Sequence, residues 1–105
     1  MTDVETIVDD IVVLSSALAD AVHAEMALED TRHVVKMTVT ERIMATENKL
    51  TGKPHSFSSA EAAAVLDPAY VDHLAQLRDA AKARILARGK YDAAVAKAAL
   101  LANKK

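Results

Sequence analysis

Apolar residues recur at alternating steps of three and four along the first part of the chain: Val4, Ile7, Ile11, Leu14, Leu18 and Ala21. This near-heptad spacing places them on one side of an α-helix. Val8, Val12 and Val22 widen the stripe. The helix has a legible start, because Thr2 and Glu5 stand at capping-box spacing and can satisfy free amides at its end. Beyond Ala21 the pattern weakens, although Met26, Leu28, Val35, Val39, Ile43 and Leu50 continue an apolar face with drift. His33–Thr40 is rich in β-branched residues, and Val35, Met37 and Val39 alternate as in a strand. Helix is the preferred reading, since no second strand exists to pair with it. A break near Thr38–Thr40 is the alternative, with Thr38 and Glu41 as its cap. The pattern predicts a first helix over residues 3–50.

Thr51-Gly52-Lys53-Pro54 is the first clear stop, with Gly suited to a left-handed residue and Pro unable to continue a helix. A loop is expected over 51–57. Ser58 and Glu61 then read as a capping box, with Phe57 as a hydrophobic staple, opening a short helix over 59–66. Asp67-Pro68 reads as a fresh N-cap followed by proline at the first helical position. The last helix is expected over 68–103, with Tyr70, Leu74, Leu77, Ala81, Tyr91, Val95, Ala98 and Ala102 on one stripe that Arg84 and Arg88 interrupt. Gly89 marks a kink, a close helix contact or a break, at a cost of about 1 kcal/mol relative to Ala.

The predicted fold class is all-α: a long helical hairpin or small helical bundle, with a short helix at the turn. The long helices would measure roughly 70 and 50 Å at 1.5 Å per residue. A single helical domain over 1–105 is expected. Two paired helices make a thin core, so association into a homo-oligomer, such as a four-helix arrangement, is expected too.

Composition agrees with helix: 51% of the 105 residues are hydrophobic, and Gly and Pro occur twice each. With no cysteine, disulfides, thiolate metal sites and thiol catalysis are excluded. No uninterrupted run of 18 apolar residues occurs, so no transmembrane helix and no membrane partner are expected. The acidic N-terminal stretch argues against a signal or transit peptide, and a cytoplasmic location is expected. Charge alters the picture most. Residues 1–30 have net charge −8, residues 31–75 net 0 and residues 76–105 net +6, within an overall −2. Antiparallel pairing would lay the acidic block along the basic one.

Candidate chemistry is sparse. Asp20 with His23, and Asp30 with His33, have the carboxylate–histidine spacing of helical metal sites. The two pairs are ten residues apart and face directions about 280° apart on one helix. His55 and His73 have no partner at ligand spacing, and no HExxH, GxSxG or glycine-rich phosphate loop occurs. No catalytic, cofactor or metal residues are therefore assigned, no small-molecule substrate is expected, and the protein is read as not an enzyme. The basic end supplies the candidate partner-binding residues Arg78, Lys82, Arg84 and Arg88, spaced to share helix faces in pairs. They would meet an acidic protein or, alternatively, nucleic-acid phosphates. Missing aromatic interleaving counts against base stacking.

The stretch from Thr40 onward resembles the small Ala-rich helical accessory proteins of tailed bacteriophages, often encoded among replication and recombination genes. The likeness rests on the Thr51–Pro54 turn, on Ser59-Ala60-Glu61-Ala62-Ala63-Ala64-Val65-Leu66-Asp67-Pro68-Ala69-Tyr70, and on the basic Ala/Leu-rich helix that follows. It implies a phage-encoded accessory or inhibitory protein acting in the host cytoplasm, and it assigns no functional residues. The expected function is a non-enzymatic, self-associating helical module that binds a partner protein. The alternative is a nucleic-acid-associated protein of phage replication or recombination.

Overall fold

The structure, a computed structural model, describes residues 4–46 and 52–103. Three helices account for nearly all of them: α1 (Val4–Met44), α2 (Phe57–Ala64) and α3 (Pro68–Ala102). The fold is all-α, a helical hairpin with a short helix between its arms. No strand forms among the described residues, and His33–Thr40 is helical throughout. Its threonines explain how: Thr38 donates to the Val34 carbonyl at 2.8 Å and Thr40 to that of Lys36 at 2.7 Å. These back-bonds satisfy hydroxyls that would otherwise compete with the helix. α1 ends at Met44, earlier than residue 50, and Ala45 and Thr46 turn off it. The remainder of the expected first helix, 47–50, lies outside the described residues, as do Thr2 and Asp3.

The chain divides into two compact units, Met26–Arg78 and Met1–Glu25 with Asp79–Lys105. α1 and α3 contribute to both.

The unit Met26–Arg78 contains every buried residue described: Val39 and Thr40 of α1, Ala60 and Ala64 of α2, and Tyr70 and His73 of α3. Ala60 and Ala64, four apart and fully buried, give α2 a smooth face that permits close approach. α2 is capped by Ser56, whose hydroxyl accepts from the Ser59 amide at 3.2 Å. The cap thus lies two residues before the expected Ser58, and Phe57 is the first helical residue and half exposed. α3 opens as read, with Asp67 Oδ1 accepting from the Ala69 amide at 2.9 Å. The other Asp67 oxygen pairs with Arg42 of α1. Farther along, His73 Nε2 donates to the Leu28 carbonyl at 2.7 Å, which fixes the proton on that nitrogen. Leu28 with His73 and Arg42 with Asp67 show that the helices run antiparallel here. Gly52 adopts the left-handed conformation expected of it, at φ 66°.

The other unit pairs the first half of α1 with the second half of α3, again antiparallel. Ile7, Ile11, Leu14, Leu18, Ala21 and Glu25 are half-buried on α1, and Ala80, Arg84, Ala87, Tyr91, Ala94 and Ala98 on α3. Both sets follow the alternating four-and-three spacing of a coiled-coil seam. Branched side chains of α1 meet mainly alanines of α3. α3 runs unbroken through Gly89, and a Cβ there would meet nothing within 4 Å, which removes both a break and a close helix contact.

Candidate interaction surface

Arg84 was expected to interrupt the apolar stripe of α3. It lies within the seam instead, where its guanidinium pairs with Glu25 of α1. The pair is partly covered, with side-chain exposures of 39% for Arg84 and 26% for Glu25. Placing one charge of each sign in the seam lets the apolar spacing continue past it and fixes the register of the two helices. Replacing Arg84 with Glu sets two carboxylates together and is expected to cost about 1–2 kcal/mol. The exchange Glu25→Arg with Arg84→Glu should restore most of that loss in urea unfolding at low salt.

The other three candidates are all exposed. Arg88 pairs with Asp92 one turn along α3 at 3.3 Å, with both side chains more than half exposed. Such a pair contributes only a few tenths of a kcal/mol. Lys82 makes no ion pair with the described residues, and Lys90 and Lys97 of the same unit make none either. Arg78 belongs to the other unit and is likewise exposed without an ion pair there. The three candidates of the unit Met1–Glu25 with Asp79–Lys105 therefore do not act alike. Arg84 is engaged internally, Arg88 locally, and Arg78 and Lys82 present their charge to solvent.

Charge reading did not find the apolar surface of the unit Met1–Glu25 with Asp79–Lys105. Val4, Val8 and Val12 are 76%, 51% and 61% exposed, and Ile85 is 61% exposed. The signal was present in the sequence, since Val8 and Val12 widen the stripe beyond what one partner helix covers. Val4, placed on the stripe itself, lies largely outside the seam. Val4, Ile7, Val8, Ile11, Ala98, Leu101 and Ala102 line a wholly apolar groove of about 170 Å³. A second groove, of about 380 Å³, has Asp10 and Lys97 among its lining residues.

Among the described residues no group of three or more His, Asp or Glu side chains is placed to hold a metal ion. Asp20 with His23, and Asp30 with His33, gather no third ligand. α1 is long and apolar enough to cross a membrane by length and composition, through a window of 18 residues with at most two charged ones. The expectation of no spanning helix rested on an uninterrupted apolar run, a stricter criterion than mean hydropathy. None of that window is buried, and a single such helix is weak evidence, so length and composition alone do not assign α1 to a bilayer. The chain matches no family model, no curated protein and no solved structure, so its function has to be read from these surfaces.

Proposed function

We propose that the protein is a non-enzymatic helical interaction module that works by binding protein. One observation carries this reading. In the unit Met1–Glu25 with Asp79–Lys105, two long helices pair without burying any described residue, while Val4, Val8, Val12 and Ile85 stay exposed. Exposed apolar side chains on successive turns, as Val4, Val8 and Val12 are on α1, mark interaction sites. The resemblance to phage accessory proteins suggests its concrete form, an accessory or inhibitory protein in the host cytoplasm. A second reading draws on Lys82, Lys90 and Lys97, whose exposed charges make no ion pair among the described residues and suit phosphate contacts.

Gel shifts with DNA and RNA at low and moderate salt, beside photo-cross-linking from position 12, separate the two. Protein adducts with no shift at low salt are the expected result. A salt-sensitive shift abolished by Lys82→Glu with Lys90→Glu would contradict it. Arg84→Glu is unsuited to this test, because it disturbs the seam as well as the charge.

A further inference from the structure

Much of the exposed and half-buried apolar surface of the unit Met1–Glu25 with Asp79–Lys105, though not Val13, Leu86, Leu100 or Leu101, falls into two stripes. On α1, Val4, Val8, Val12, Ala19 and Val22 lie roughly 100° round from the seam, in the sense of increasing residue number. On α3, Ala81, Ile85, Arg88, Val95 and Ala99 lie roughly 100° round from its seam in the same sense. Because the helices run antiparallel, equal rotations bring both stripes to one side of the pair. That side is largely apolar, with Arg88 and Asp92 as its charged residues on α3, whereas Asp10, Lys90 and Lys97 fall on the opposite one beside Val13, Leu86 and Leu101.

We propose that this side is covered by a second copy of the chain, with α1 of each copy lying on α3 of the other. The inference rests on the protein-binding reading and deepens it by naming one partner. Surface area supports it first. The chain exposes 7768 Å², whereas a compact monomer of 11.2 kDa exposes about 5,700 Å². The excess over the whole chain, about 2,000 Å², leaves room for the roughly 1,000 Å² or more that each partner of an extensive, permanent interface covers.

Charge then selects the arrangement. From Val4 to Glu25, α1 carries five carboxylates and no Lys or Arg. From Asp79 to Ala102, α3 carries five cations and two carboxylates. Packed helices lie 8–10 Å apart, about one Debye length at physiological salt, so at lower salt each helix feels the net charge of its neighbour even though Asp10, Lys90 and Lys97 point away from the contact. A two-fold axis parallel to the helices sets α1 on α3 of the other copy, antiparallel, and alternates acidic with basic helices around a four-helix bundle. An axis across the helices would set acidic α1 on acidic α1. The parallel axis also leaves axial levels unchanged. Leu14 and Ala94 line one groove within a chain, so Ser15 of one copy stands level with Val95 of the other.

Sedimentation equilibrium of the full chain, purified alone, is expected to return twice 11.2 kDa, and Val8→Lys to weaken association roughly tenfold or more. Circular dichroism checks that the variant stays helical. Should it not fold, cysteines give an independent reading, since the chain has none of its own. On oxidation, Ser15→Cys mixed with Val95→Cys should form a disulfide-linked pair, and neither should link to itself. A monomer at about 100 μM, or efficient self-linking of Ser15→Cys, overturns the proposal. A monomer that still gives protein adducts from position 12 overturns only the second copy as partner. A monomer that instead floats with lipid vesicles or shifts nucleic acid overturns the protein-binding reading as well.

Discussion

Tyr70→Ala is expected to lower the stability of the protein by about 3–4 kcal/mol, the range for removing a buried aromatic ring. Tyr70 is 8% exposed and is the largest of the buried hydrophobic side chains, which otherwise comprise Val39, Ala60 and Ala64. Against a typical total of about 5–15 kcal/mol, the loss is a fifth or more of the whole and should lower the urea midpoint substantially. Tyr70→Phe keeps the ring and should cost less than about 1 kcal/mol. An alanine variant as stable as the wild type would mean that this cluster is not the core.

The second large effect is expected at Asp67, which holds two elements at once. One oxygen caps α3 by accepting from the Ala69 amide, and the other pairs with Arg42 of α1. Its side chain is only 17% exposed. Asp67→Ala should cost about 2 kcal/mol, roughly half from the cap and half from the ion pair. Asp67→Asn retains a capping acceptor and removes the charge, so it should recover about half of that loss. A double-mutant cycle with Arg42→Ala isolates the pair: the coupling should be present with Asp67 and vanish with Asn. Equal losses for Ala and Asn would show that the cap contributes nothing.

Most of the fold was legible in the sequence because its signals are local. Asp67-Pro68 declares the start of α3 through hydrogen bonding and a fixed φ, whatever packs around it. Gly52 likewise takes the conformation that its missing Cβ favours. The start of α2 was harder, because Ser56, Ser58 and Ser59 all carry a capping hydroxyl. The structure begins the helix from Ser56, the start that accompanies burial of Ala60 and Ala64 in the core, and that contact is tertiary. The candidate surface was legible only in part. Arg84 read as a partner-binding charge that interrupts the stripe, because its partner, Glu25, is 59 residues away in sequence. The α3 seam was obscured because Ala80, Ala87, Ala94 and Ala98 are indistinguishable by hydropathy from the exposed alanines beside them. Val8 and Val12 did appear as a widened stripe, but only the paired helices reveal which part of it is left uncovered.

On the proposed reading, one unit carries its own core and the other is completed by a second copy of the chain. Native-state hydrogen exchange of the full chain at low and high protein concentration tests this most directly, since protection reports local opening. Amides of residues 57–73 should exchange at the same rate at both concentrations. Those of residues 7–21 and 84–98 should exchange fast when dilute and slow markedly when concentrated. Equal protection of both units, unchanged by concentration, would contradict the account.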